Sequence, residues 1–197
     1  MTTALEKRPW ARNPWRYLLW AVPAALLATP AVMMLRGAEG WLWGPLDFVF
    51  AAILLFGSTA MIDLAIRRGG STAYRLGAAL AVLVSFLLVW INAAVGVIGD
   101  EDNPANLLFF AVILVALAGA ALARFESPGM ARAMAIASAF TVAIAAAVIV
   151  LGWGATEPPG AIGLVVLIGG FAALWALSSA LFAKAAREAG PIERGSQ

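Results

Sequence analysis

Six long stretches of this chain carry almost no charge, and that pattern limits its fold more than any other feature. They run from Tyr17 to Leu35, Phe48 to Ile66, Leu76 to Gly99, Asn103 to Ala123, Ala133 to Thr156 and Pro158 to Ala183, and only Asp63 interrupts them. A hydrocarbon core about 30 Å thick needs roughly 20 apolar residues of helix, so each stretch is long enough to cross a bilayer. Of the 197 residues, 63% are hydrophobic and 12% charged, with a mean hydropathy of +0.91. A soluble domain keeps about twice that charge on its surface. The expected fold is therefore all-α: an integral membrane bundle of six transmembrane helices in one polytopic domain, 1–197, with short tails at 1–15 and 188–197. Disorder, a disulfide scaffold and nucleic-acid binding are excluded. The chain has no Cys and no His, which removes Cys- or His-ligated zinc, bis-His haem, iron–sulfur clusters and Cys or His nucleophiles. No metal and no cofactor is expected.

Basic residues are retained on the cytoplasmic side during insertion, so their positions set the orientation. Lys7, Arg8, Arg12 and Arg16 precede the first stretch, Arg67, Arg68 and Arg75 separate the second from the third, and Arg124 and Arg132 separate the fourth from the fifth. Lys184, Arg187 and Arg194 close the chain, and the opposite side holds Arg36 with Glu39, Asp47, Asp100, Glu101, Asp102 and Glu157. Both termini are thus expected in the cytoplasm. The first stretch is too long for the apolar part of a signal peptide, and Pro30 falls where cleavage would occur. Trp10, Trp15 and Trp20 read as anchors at one headgroup layer and Trp41, Trp43 and Trp153 at the other. Trp90 and Trp175 lie deeper and read as packing residues.

Each odd stretch follows a cytoplasmic Arg and each even one starts near a Pro: Arg16 to Pro45, Arg75 to Pro104, Arg132 to Pro159. This spacing fits three copies of one helical hairpin, and equally a plain run of six regular spans. Ala131, Ala135, Ala139, Ala143 and Ala147 recur every four residues, and Ala172, Ala176, Ser179 and Ala183 follow a three-and-four spacing. Small stripes let helix backbones approach closely in lipid, so these are expected to be packing faces. Pro23 and Pro30 should bend the first helix.

Polar residues that bear on function are few. Asp100, Glu101, Asp102, Asn103 and Asn106 form an acidic loop expected on the outer side. Asn103 suits an N-cap, Pro104 a first helical position, and the acids complement a helix N-terminus; a cation-attracting mouth is the functional alternative. Asn92 is a buried amide on a small, polar face with Ser85, Gly96 and Gly99, expected to bond across to another helix, with the lining of a polar cavity as the alternative. Asp47 follows Pro45 at another helix start, and Asp47, Asn92, Asn103 and Asn106 would form one outer polar site if they converge. Asp63, with Arg67 four residues on and Thr59 four residues back, reads as an interfacial ion pair rather than an ion carrier.

The segment Trp90 to Asn106, WINAAVGVIGDEDNPAN, resembles an uncharacterised group of small bacterial multi-pass membrane proteins that carry a similar loop. Leu27 to Met34, Trp43 to Phe48 and Asn103 to Phe110 extend the likeness. In the loop this chain reads Gly99-Asp100-Glu101 where the related form has Ser before the Glu. The resemblance implies an integral protein of the bacterial inner membrane with about six spans, and supplies no activity, substrate or ligand.

Three functions are open to such a chain. An accessory or structural membrane subunit ranks first, with another membrane protein or further copies of itself as partners beside the lipid. A small cation or solute channel or transporter ranks second, because it needs a continuous polar route and no acid or base is expected at the midplane. A membrane-embedded enzyme ranks last, since no acid–base pair sits on a recognisable helical spacing.

Overall fold

The computed structural model describes residues 15–68, 70–100, 102–154 and 159–190. Lys7, Arg8, Trp10, Arg12, Glu101, Thr156, Glu157, Pro158 and Arg194 lie outside them. The described chain is all-α, with six helices long and apolar enough to cross a membrane. These are α1 (Trp15–Leu35), α2 (Pro45–Arg67), α3 (Thr72–Ala94), α4 (Leu107–Leu122, which reaches spanning length together with the 3-10 turn Pro104–Asn106 ahead of it), α5 (Ser127–Leu151) and α6 (Gly160–Glu188). The chain divides into two compact units, Met1–Gly69 and Gly70–Gln197.

In the first unit α1 and α2 form a hairpin. Arg16, Trp20, Pro23, Leu27 and Pro30 alternate steps of four and three along α1, the seam spacing that keeps one face toward a partner helix. Trp20 stacks on Phe56 of α2, with ring centroids 6.3 Å apart. Pro23 and Pro30 are the buried residues of α1 among those described, so both face inward on this seam. The helix continues through both.

The second unit packs α3 against α6, α6 against α5 and α5 against α4, while α3 and α4 meet less closely. Each hairpin's own two helices touch, closely in α5–α6 and least in α3–α4. Between α5 and α6 two hydroxyls bind main chain in both directions: Ser138 donates to the Ala172 carbonyl at 2.8 Å and Ser179 to the Ala131 carbonyl at 2.7 Å. The paired numbers run oppositely, which fixes an antiparallel register. Ser178 of α6 likewise donates to the Gly77 carbonyl of α3 at 2.8 Å. A Cβ on Gly77 would lie 3.3 Å from Leu181, Phe182 and Ser178, so even a methyl group there would need the neighbouring helix to give by a few tenths of an ångström. Trp175, Phe182, Leu88, Val84 and Ile168 fill the interior.

The Ala131–Ala147 stripe is not the packing face of α5. Ala135, Ala139 and Ala143 are exposed, and the buried face carries Met130, Ala133, Met134, Ala137, Thr141, Ile144, Ala145 and Val148. A step of four residues turns about 400°, so each member lies about 40° further round the helix and the stripe winds off any one face. The expected α6 stripe is also mixed: Ala172 is buried and Ala176 exposed. Trp175 is fully buried as expected, whereas Trp90 is 38% exposed and stacks on Phe86 on the outside of its helix.

Between α4 and α5 the chain turns within a few residues. Arg124 and Phe125 both adopt left-handed backbone, with φ of 50° and 61°. The Phe125 N–H reaches back to the Ala120 carbonyl and the Arg124 N–H to the Ala121 carbonyl, which closes the end of α4. Tyr74 of α3 donates its hydroxyl to the Phe125 carbonyl at 2.9 Å and sets its ring edge-on to Phe182. Tyr74→Phe keeps the ring and removes that bond. It should cost about 1 kcal/mol, a fall of about 2–4 °C in the apparent Tm of the detergent-solubilised protein. An unchanged Tm would mean that the turn holds itself.

Candidate functional site

Asn106 organises the α3–α4 loop. Its side chain is buried, and its amide binds four main-chain groups. Oδ1 accepts from the Val97 and Ile98 N–H groups at 3.0 and 2.8 Å, and Nδ2 donates to the Ile98 and Asp100 carbonyls at 3.3 and 2.7 Å. An amide has two donor hydrogens and two acceptor lone pairs, so this one is saturated. Val97 and Ile98 are thereby drawn inward and buried, at 3% and 0% exposure. Gly96 makes the bend possible: its φ is +72°, and a Cβ there would sit 2.3 Å from the Asp100 carbonyl oxygen. α3 consequently stops at Ala94, short of the end of the uncharged stretch at Gly99.

Asn103 caps the next turn, accepting from the Ala105 N–H at 3.0 Å, and Pro104 opens a single 3-10 turn, Pro104–Asn106, that leads into α4. Both roles match the sequence expectation. Asp100 and Asp102 are exposed, on the solvent side of this loop. Glu101 falls outside the described residues. The side chains of Asp100 and Asp102 therefore do not bind the Asn106 amide, whose four positions are occupied.

Asn92 departs from expectation. Its Nδ2 donates to the Leu88 carbonyl at 2.7 Å, within its own helix rather than across to another. Its Oδ1 is buried without a hydrogen-bond partner, as is the Trp175 Nε1–H. Asn92, Asn103 and Asn106 thus each engage main chain and not one another. Asp47 belongs to the other unit, where its Oδ2 accepts the Gly44 N–H at 2.8 Å and caps α2. Each of these four residues has a local main-chain partner of its own.

The densest charge lies at the end of the hairpin where α1 begins and α2 ends. Asp63 is 4% exposed, and its Oδ2 lies 2.6 Å from Arg67 Nη2 and 3.6 Å from Arg16 Nη2. The Asp63–Arg67 pair follows from their spacing of one helical turn. Arg16 was missed, because no rule internal to α2 reaches the neighbouring helix. The signal that finds it is the seam of α1, on which Arg16 stands first. Thr59, one turn before Asp63, returns its hydroxyl to the Leu55 carbonyl at 2.9 Å and adds nothing to the cluster.

No family model, curated protein or solved structure matches this chain. The site must be read from its own chemistry. Among the described residues no group of three or more carboxylates assembles where a metal ion could be held. What the arrangement offers is one saturated loop clamp, one buried carboxylate between two guanidinium groups, and hydroxyls that tie helices together.

Proposed function

We propose that this protein is an accessory or structural subunit of a membrane assembly, placed in the bacterial inner membrane with both termini in the cytoplasm. One observation carries the reading. Four polar side chains at the helix contacts of the second unit donate to main-chain carbonyls of neighbouring elements: Ser138 to Ala172, Ser178 to Gly77, Ser179 to Ala131 and Tyr74 to Phe125. Groups used in this way fix helices against each other and leave little to line a path for a hydrated ion. The exposed acids Asp100 and Asp102, on a loop that Asn106 holds rigid, supply a surface that a basic partner segment can recognise.

Native mass spectrometry of the particle after gentle extraction tests this directly. The expected result is a stoichiometric complex with a second, different protein. A particle of this chain alone, whether monomer or homo-oligomer, overturns the subunit reading. A cation flux in liposomes that falls when Asp100, Glu101 and Asp102 are neutralised would put a channel in its place.

A further inference from the structure

The Asp63 cluster joins one carboxylate to two guanidinium groups. Both Nη2 atoms lie within 3.6 Å of the same oxygen. The acid is inside, its side chain 6% exposed, while the Arg16 and Arg67 side chains are 31% and 43% exposed and form the rim. The trio carries a net charge of +1, and two like charges held this close favour a second anion that shares them. Each guanidinium has five N–H donors, of which the ion pair with Asp63 occupies only part. A planar fork of this kind suits the paired free oxygens of a phosphate group better than a point charge does.

The position says which phosphate. Arg16 stands in the first turn of α1 and Arg67 is the last residue of α2, so the pair marks the level at which the hairpin leaves the hydrocarbon. Tyr17 and Leu18, directly after Arg16, are 75% and 54% exposed. The surface beside the guanidinium groups is thus apolar and runs toward the membrane interior. A ligand with a phosphate at one end and acyl chains at the other matches both parts, whereas a free ion uses only the first.

We propose that Arg16 and Arg67 form a binding site for the phosphate of an anionic phospholipid headgroup, and that Asp63 is the positioning residue that holds the two guanidinium groups together. The site requires only that the hairpin lie in a bilayer, and it stands apart from the subunit reading above.

The test measures retention of dioleoylphosphatidylglycerol against dioleoylphosphatidylcholine by native mass spectrometry on the full chain in a neutral detergent, with the lipid-induced rise in apparent Tm as a second readout. The expected result is preferential retention of one phosphatidylglycerol, with affinity falling about tenfold in Arg16→Gln and in Arg67→Gln, the scale of one lost charge-assisted bond. Arg67→Lys keeps the charge without the fork, and should lose most of the preference as well. Arg187→Gln removes a basic residue from the end of α6 and should leave it intact. Asp63→Asn separates positioning from bulk attraction: it raises the net charge, so simple attraction predicts tighter binding, and positioning predicts weaker. Equal retention in wild type, Arg16→Gln and Arg67→Gln overturns the proposal. So does an equal loss in Arg187→Gln, and so does inorganic phosphate that raises the Tm as much as the lipid does.

Discussion

Asn106→Ala should unfold the α3–α4 loop and take much of the second unit's stability with it. The substitution leaves the Val97 and Ile98 N–H groups and the Ile98 and Asp100 carbonyls without the partner they share. Restoring all four from solvent would draw Val97 and Ile98 out of the interior, where they are 3% and 0% exposed. Bonds of this kind contribute about 1 kcal/mol each, with a further penalty for groups that stay buried and unpaired, so a loss of about 3–5 kcal/mol follows. In a protein of this size that lowers the apparent Tm by about 10 °C. Amide exchange sharpens the test: Val97 and Ile98 should be protected in the wild type and exchange freely in the variant. Asn106→Asp should not rescue, because it keeps the acceptor but sets a carboxylate against two carbonyl oxygens. A variant with wild-type Tm and wild-type protection at both amides would show that packing of Ile98 alone holds the loop.

The second large effect is expected at Gly119, where α4 crosses α5. A Cβ at this position would lie 2.6 Å from the Ala133 Cβ, closer than two carbons can approach, and Gly129 faces Ala123 at 2.4 Å in the same way. The two glycines set how near these helices come. Gly119→Ala should cost about 1–3 kcal/mol and Gly119→Leu more, because the added atoms must push the helices apart along their whole contact. The pair Gly119→Ala with Ala133→Gly exchanges the side on which the methyl sits. It should recover most of the loss in thermal unfolding, because the helix glycine removed at 119 offsets the one introduced at 133. If the double variant is no better than the sum of its parts, the collision at Ala133 is not what glycine avoids.

The spans were legible in the sequence because crossing a bilayer imposes a length and an absence of charge, and both can be counted. Their ends were less so. α3 stops at Ala94 on account of a left-handed Gly96 and a side-chain clamp ten residues further on, neither of which alters hydropathy. α5 starts at Ser127, before Arg132, because Pro128 opens the helix and one long basic side chain near its end does not interrupt it. Local devices were found where both partners lie within a turn of each other: Asn103 as a cap, and Asp63 with Arg67. The Asn106 clamp was hidden because its partners are main-chain groups in a non-helical stretch, and sequence gives no sign of where those point. Arg16 was hidden because its partner is on another helix. The alanine stripe misled because a repeat of four looks regular in print and is not regular on a helix of 3.6 residues per turn.

The hydroxyls that join the helices of the second unit have an effect on how this chain tolerates mutation. In each bond the acceptor is a peptide carbonyl, at Ala131, Ala172 or Gly77. No codon change can delete a carbonyl. A contact between two side chains presents two genetic targets, and either one can be lost; here only the serine is at risk, while the opposite position need only stay small. The helices can therefore drift in sequence on the acceptor side and keep their register, so distant relatives should be recognised by three serines and a size limit opposite each, more than by shared residues.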